Sequence, residues 1–202
     1  MRRNDTPDGW SATSCCCMCS DRVWSTQEVD TLRVGLMQET GRPALCRMLE
    51  DSEDFPQQLL HLYRRGRSRY VTFVASRGNE IEGVLTGSFD SDFGEGSAFH
   101  AFELPPAPHA FLDRIHVRGS ARGAGVGRAL IETYAEEASA RGCTFIGGSI
   151  DLSSESTRRK VFFERLGFSI RELDNFGARP TDVLLTSPRT AEPSRSRADM
   201  ER

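Results

Sequence analysis

The sequence has little that would direct it to a membrane or to nucleic acid. No apolar stretch approaches the roughly 20 residues that a membrane helix needs, and no apolar run follows Arg2 and Arg3 as a secretory signal requires. The net charge of -3 offers no basic surface of the kind that nucleic-acid-binding proteins show. We therefore expect a cytoplasmic protein with neither a membrane nor a nucleic-acid partner.

The six cysteines lack the spacing of a metal site. Four of them crowd into residues 15–19, and this cluster matches neither a disulfide framework nor the paired Cys-x-x-Cys spacing of zinc sites. We expect no metal and interpret the cluster as part of a disordered leader, with a thiol-rich metal or redox module as the alternative. Cys46 and Cys143 are expected to be small buried hydrophobes.

Composition divides the 202 residues into a core and two polar ends. Residues 1–24 are predicted to form a flexible leader, and residues 187–202, rich in Ser, Pro and Arg, a disordered tail. Residues 25–186 then form one domain that is long enough to bury a hydrophobic core.

Within this domain the apolar pattern predicts helices, a hairpin, and then alternating strands and helices. Helices are expected over residues 25–41, 56–65, 125–141 and 156–166, and strands over residues 70–74, 81–89, 110–117, 144–150, 168–173 and 183–186. Residues 90–109 form a long loop. The order predicts an α/β fold with a mixed sheet that has helices on its faces.

The segment from Arg122 to Arg128 has the features of an anion-binding loop. Its glycines leave the backbone amides uncrowded, and it runs directly into a helix whose first amides have no internal partner. Its two arginines add positive charge that suits a pyrophosphate. The expected ligand is a nucleotide-like diphosphate.

Two other nucleotide-binding loops do not fit these glycines. A P-loop ends in Gly-Lys-Ser/Thr, whereas this chain has Gly127-Arg128-Ala129. A Rossmann fingerprint counted from Gly123 requires glycine where Arg128 stands. From the glycines alone, a turn that merely precedes an ordinary helix stays open as an alternative.

Leu112 to Val117 leads into Arg122 to Ile131, which contains the pattern Arg-x-x-Gly-x-Gly, and Val161 to Phe168 ends in Leu-Gly-Phe. Together and in this order, these segments resemble the acetyl-CoA signature of the GNAT superfamily of N-acetyltransferases. The resemblance extends over about residues 70–186. It implies a GNAT-like fold with a mostly antiparallel sheet, acetyl-CoA as co-substrate, and direct attack of a primary amine on the thioester.

The resemblance also implies where the co-substrate binds. Main-chain groups of the strand would pair with the pantetheine arm, and amides of the glycine loop would hold the pyrophosphate. The implied binding residues are Ile115, His116, Val117, Arg122, Gly123, Ala124, Gly125, Val126, Gly127, Arg128, Ser156 and Phe163. Two positions depart from the family pattern. Phe163 stands where many members have the tyrosine that protonates the leaving thiolate, and Ser156 where many have asparagine.

Asp113 is the first candidate for the base that takes the amine proton. On a regular strand it shares one face with the apolar residues Phe111, Ile115 and Val117, and His116 lies on the other face. A carboxylate among apolar neighbours has a raised pKa, which suits a base. Some family members carry a catalytic histidine at this position. An ion pair with an arginine, or a rim position, is the structural alternative for Asp113.

The predicted loop over residues 90–109, with Phe89 just before it, contains both acidic and aromatic side chains, a combination that suits a cationic amine. These side chains are Asp90, Asp92, Glu95 and Glu103, with Phe89, Phe93, Phe99 and Phe102. Glu103 is the second candidate base, and a solvated acidic loop is the alternative. We expect a small amine as acceptor. A protein terminus as acceptor, a degenerate domain that binds acyl-CoA without turnover, and a homodimer are left open.

Overall fold

The computed structural model describes residues 31–66, 69–94, 96–151 and 156–186. The predicted leader with its cysteine cluster, Glu95 and the predicted tail lie outside these ranges. The strands within them are β1 (Arg33–Leu36), β2 (Val71–Arg77), β3 (Glu80–Ser91), β4 (His109–Val117), β5 (Phe145–Ser149), β6 (Ser169–Ile170) and β7 (Asn175–Ala178). The α-helices are α1 (Arg42–Glu50), α2 (Leu60–Arg65), α3 (Val126–Ala140), α4 (Ser156–Glu164) and α5 (Pro180–Leu185).

The strands form one sheet in the order β1-β2-β3-β4-β5-β7-β6. Neighbouring strands run antiparallel, except β4 and β5, which are parallel and are connected through α3. This connection uses a helix because two parallel strands cannot be joined by a tight turn. The predicted α/β fold, a mixed and mostly antiparallel sheet flanked by helices, is confirmed.

Both faces of the sheet are covered. On one face, Leu85 of β3 packs in a cluster with Tyr134 of α3 and Phe163 of α4. On the other face, the preceding strand residue, Val84, packs with Leu49 of α1 and with α2. Successive residues of a strand point to opposite faces, so β3 is apolar on both sides. Cys46 and Cys143 are buried as predicted.

The loop between β3 and β4 covers the part of the sheet that α1 and α2 leave open. Phe93 and Phe99 of this loop stack with their ring centroids 4.2 Å apart and pack with Phe145 of β5 in a third cluster. A Cβ on Gly147 would meet these loop rings, whereas one on Gly148 would meet Phe176 in the cluster under α3. The loop therefore lies on the face opposite α3.

The predicted helix over residues 25–41 is wrong where the structure describes it. Residues 33–36 form strand β1, which pairs with β2 so that Gly35 lies opposite Val74. Leu32 and Val34, two residues apart, both pack against the cluster under α3. Because the segment pairs with the edge of β2, its side chains alternate between the two faces of the sheet, as in a strand. The first helix begins instead at Arg42, with a proline in its first turn, where the missing amide costs little.

The predicted strand over residues 183–186 is also wrong. Pro180–Leu185 is helix α5, with Val183 buried against the core and Leu185 exposed. The partner of β6 is β7, which pairs Phe176 with Ile170. Four residues are too few to separate a helix from a strand by periodicity, and the proline in the first turn favours the helix.

No helix in the described ranges is long and apolar enough to cross a membrane.

Candidate functional site

The glycine loop leads into α3 in a left-handed backbone conformation. Gly123 has φ of 81° and Gly125, directly before the helix, has φ of 83°. Residues with a Cβ adopt this region at a cost, which is why glycine stands at both positions. The amide of Ala129 donates to the carbonyl oxygen of Gly125 at 3.0 Å, so the amides before it have no partner within the helix. With the helix dipole, they form a site for an anion.

Gly127 serves packing as well as the loop. A Cβ at this position would lie 3.2 Å from Cζ of Phe162 on α4 and 3.7 Å from Cγ2 of Val117. The missing side chain therefore lets α4 and the end of β4 approach the first turn of α3. The sequence analysis did not single out Phe162. The pair Phe162-Phe163 was the signal that could have indicated its packing role.

The two arginines of the loop are engaged by other groups. Arg122 donates from Nε to the carbonyl oxygen of Val117 at 3.2 Å and forms an ion pair with Asp54. Arg128 lies 3.4 Å from Glu132 and also donates to the carbonyl oxygen of Thr186. These contacts offset part of the guanidinium charge, so the backbone amides before Ala129 are the stronger candidates for binding an anion in this loop.

Strands β4 and β5 separate next to this loop. Their parallel ladder runs from His109 opposite Phe145 to Leu112 opposite Gly148, where it ends in the described structure. The rest of β4, residues 113–117, has no partner on the β5 side among the described residues, and the carbonyl oxygen of its last residue, Val117, accepts from Arg122 of the glycine loop. An exposed strand edge of this kind can take up an extended ligand by main-chain pairing.

A β-bulge lies where the strands separate. Thr86 of β3 pairs with Arg114 and Gly87 pairs with Leu112, so Asp113 is an extra residue without a partner in the β3 ladder. A bulge interrupts the alternation of side chains along a strand. Asp113 and its neighbour Arg114 consequently line the same cleft, between the sheet and α2.

The predicted assignment of β4 side chains to the two faces of the sheet is wrong. Ile115 and Val117 pack against the cluster under α3, whereas Phe111 packs with the phenylalanines of the long loop on the other face. Asp113 does not share a face with Ile115 and Val117. His116 was expected opposite Asp113, yet it lies on the same side, edge-on to Phe55 with ring centroids 5.3 Å apart.

His116 is a packed side chain. It is buried, burial lowers the pKa of its imidazole, and its Nε2 has no hydrogen-bond partner among the described residues. Its main chain belongs to the part of β4 that has no partner on the β5 side among the described residues.

The cleft beside Asp113 is narrow, with a cavity volume of about 20 Å³. Thr86 Oγ1 donates to Asp113 Oδ2 at 3.5 Å, and Tyr63 of α2 lines the opposite wall. Burial raises the pKa of Tyr63, and hydrogen bonds from Thr86 and Arg114 oppose that shift in part. The cleft therefore combines one carboxylate, the guanidinium groups of Arg42 and Arg114, and four hydroxyls, those of Tyr63, Tyr70, Thr72 and Thr86. Of these, the sequence had singled out only Asp113.

Tyr134 of α3 holds the irregular part of the sheet from the opposite face. Its hydroxyl lies 3.0 Å from the carbonyl oxygen of Ser88 in β3 and 3.0 Å from that of Phe111 in β4, and its one proton is shared between these two acceptors. A Cβ on Gly87 would lie 2.5 Å from this hydroxyl oxygen. The sequence indicated Tyr134 only as a core residue, although a glycine inside a strand signals a close approach of this kind.

The remaining predicted residues lie apart from the cleft. Ser156 begins α4, half-buried. Phe163 is enclosed in the core, stacked on Phe176 with ring centroids 3.9 Å apart. Glu103 is exposed on the long loop and does not line the cleft beside Asp113. The structure thus brings Asp113 and the strand edge together, with the glycine loop at the end of that edge, and leaves Glu103 elsewhere.

The model of the Acetyltransferase (GNAT) family matches residues 39–168, more than half of the chain. The chain belongs to this family, and it is an acyltransferase. Among proteins with curated descriptions, none matches the sequence significantly.

Solved structures of other acetyltransferases share the fold. An aminoglycoside N-acetyltransferase in complex with CoA is 21% identical, with a TM-score of 0.55 over 70% of this chain and 90% of that one. An aminoglycoside 6'-N-acetyltransferase from Acinetobacter baumannii is 17% identical, with a TM-score of 0.54 over 70% and 93%. The ribosomal-protein-S18-alanine N-acetyltransferase from Escherichia coli is 16% identical, with a TM-score of 0.53 over 74% and 94%. At these identities the likeness concerns the fold.

Proposed function

We propose that this protein transfers an acetyl group from acetyl-CoA to the primary amine of a small molecule. The observation that carries this proposal is the separation of β4 from β5 after Leu112 and Gly148. It leaves a strand edge that begins at a carboxylate and ends beside an anion-binding helix start. A long ligand with a diphosphate at one end and a reactive acyl group at the other suits this arrangement.

The residues of the chain fit acetyl-CoA in two regions. The amides from Gly123 to Arg128 would hold the pyrophosphate, since they precede the first hydrogen bond of α3. Main-chain groups of Ile115, His116 and Val117 would pair with the pantetheine arm, with Ser156 nearby. The solved aminoglycoside N-acetyltransferase with bound CoA supports the choice of co-substrate.

Asp113 would serve as the base. The neutral amine nitrogen attacks the thioester carbonyl carbon, the N–C bond forms, the C–S bond breaks, and the carboxylate of Asp113 takes the proton from nitrogen. Phe163 has no proton to give to the departing sulfur. A thiol with a pKa of about 8.5 can leave as the thiolate, so the step balances without a dedicated acid. Glu103 stays the second candidate base.

A small acceptor is favoured because the cleft beside Asp113 is narrow and lies between α2 and the sheet. The similar structures are named for different acceptors, an aminoglycoside in two cases and a ribosomal protein in the third. A protein N-terminus is therefore the second candidate.

Release of free thiol from acetyl-CoA tests the function. The full chain is incubated with acetyl-CoA and a panel of small amines and N-terminal peptides, with amine-free samples as the control. We expect amine-dependent thiol release and an acetylated small-molecule product. Tight binding of CoA without release for any amine would instead identify a degenerate acyl-CoA-binding domain, and release with peptides alone would make the acceptor a protein terminus.

A further inference from the structure

Three charged side chains line the cleft beside the bulge: Arg42, Asp113 and Arg114. Arg42 is engaged, because its Nη1 donates to the carbonyl oxygen of Tyr63 at 2.7 Å and its Nη2 pairs with Glu39. Arg114 also contacts Tyr63, through the tyrosine hydroxyl, but it differs from Arg42 in its charge partners. It is half-buried, and no carboxylate of the described residues forms an ion pair with it.

The surroundings of Arg114 favour an anion. A guanidinium that is partly removed from water is stabilised by a carboxylate in the same place, because planar, paired N–H donors match the two carboxylate oxygens. The hydroxyl of Tyr63 lines the same cleft and can donate a further hydrogen bond, whereas the hydroxyl of Thr86 already donates to Asp113.

The bulge sets this guanidinium beside the proposed base. On a regular strand, adjacent residues point to opposite faces. Here Asp113 and Arg114 line one cleft. A molecule with an amine at Asp113 can therefore present an acidic group to Arg114 at the same time. A polycationic acceptor would bring its further ammonium groups close to the guanidinium groups of Arg42 and Arg114, which is unfavourable.

We propose that the acceptor is a small amine that also carries a carboxylate, and that Arg114 binds this carboxylate. The inference rests on the proposed function, since it assigns the substrate class of the same cleft. Arg114 is then a specificity-determining residue, and Asp113 keeps its place as the base.

The test compares amino acids with their own amides, using glycine and glycinamide, β-alanine and β-alaninamide, and lysine and lysinamide. Thiol release from acetyl-CoA gives kcat/KM for each, and calorimetry with CoA present gives binding without turnover. We expect the acids to be preferred by about tenfold or more. The amine of an α-amino acid amide is less basic than that of the parent amino acid, so a larger fraction of it is neutral and reactive. Amine reactivity alone would therefore favour the amides.

Arg114→Gln should lower kcat/KM for the acids by about tenfold through KM and leave the amides nearly unchanged. Arg64→Gln is the matched control, since this exposed arginine lies on α2, pairs with Glu50 and does not line the cleft. The comparison in the unmodified protein needs no variant, so the inference stays testable even where Arg114→Gln folds poorly.

The outcomes separate the inference from the function. Equal or better use of amides or of the polyamine spermidine by the unmodified protein would overturn the carboxylate assignment and leave acetyl transfer in place. Binding of amino acids through Arg114 with no thiol release would support the cleft assignment and refute the transfer. Neither binding nor release for any carboxylate-bearing amine would overturn the inference.

Discussion

At the scale of single residues, the position of the Asp113 carboxylate depends on an irregularity of the backbone. The extra residue in β4 opposite Thr86 and Gly87 turns its carboxylate into the cleft. The same bulge lies where the parallel ladder with β5 ends. A base is useful only within hydrogen-bond reach of the proton it takes, so this backbone irregularity sets the position of the proposed base.

We expect Asp113→Asn to lower kcat by about a hundredfold or more, because the amide cannot accept the proton from nitrogen. The affinity for CoA should stay the same, since the glycine loop is untouched. Steady-state thiol release and CoA binding measure the two effects. Glu103→Gln is the parallel variant, and loss of turnover in it with normal turnover in Asp113→Asn would move the base to the long loop.

Tyr134 is the residue that supports the bulge from behind. Tyr134→Phe keeps the ring against Phe89 and Phe73 but removes the donor from two buried carbonyl groups. We expect the free energy of unfolding to fall by about 1–3 kcal/mol. Chemical denaturation measures this change. An unaltered free energy of unfolding would show that these two contacts contribute nothing net to stability.

At the scale of elements, α3 connects the two regions proposed to be functional, the glycine loop and the bulge at Asp113. Its first turn receives the glycine loop, and its third turn carries Tyr134 to the bulge. Both ends of the exposed edge of β4 are therefore fixed by one helix. A displacement of α3 would alter the anion site and the base together, which is a constraint that neither segment shows alone.

Gly125→Ala tests the first turn of α3. A residue with a Cβ at φ of 83° is strained, so we expect a loss of stability of roughly 1–2 kcal/mol together with weaker CoA binding. Gly119→Ala is the matched control, because its Cβ would point into open space and its φ is not positive. Thermal unfolding and CoA titration report the effects. Equal CoA affinity in both variants would contradict the proposed pyrophosphate site.

At the scale of the whole molecule, the sheet is held between two different layers. The layer of α3, α4 and α5 is apolar around Tyr134 and Phe163. The opposite layer also buries an imidazole, His116, against Phe55. Since burial lowers the pKa of His116 in the folded chain, the unfolded chain binds this proton at a higher pH.

This difference predicts acid lability of the fold. The contribution of His116 is fully present above its unfolded pKa of about 6.5 and is lost as the pH falls below that value, because the unfolded state then binds more protons. His116→Phe should reduce the decline of stability between about pH 7 and pH 5, and the exposed His61→Gln should not. Denaturation at several pH values checks this, and parallel curves for both variants would contradict it.

The glycine loop, the helix after it and the Leu-Gly-Phe helix end were sufficient to predict a GNAT-like fold. These features are local, since a left-handed glycine before a helix and an apolar stripe can be recognised within about a dozen residues. Predictions over short apolar runs were wrong at residues 33–36 and 183–186. Pairing with a distant strand edge or packing on the core decided those segments.

In the candidate site, too, local features could be predicted from the sequence, whereas features that depend on tertiary contacts could not. The sequence by itself determined that Gly123 and Gly125 precede a helix and that a carboxylate lies on the strand before them. Only the tertiary structure decided that Asp113 is the extra residue of a bulge, that Arg114 shares its cleft with Tyr63, and that Tyr134 bonds to both strands. Strand register depends on contacts between residues far apart in the chain, and a one-residue shift changes the face of every side chain beyond it.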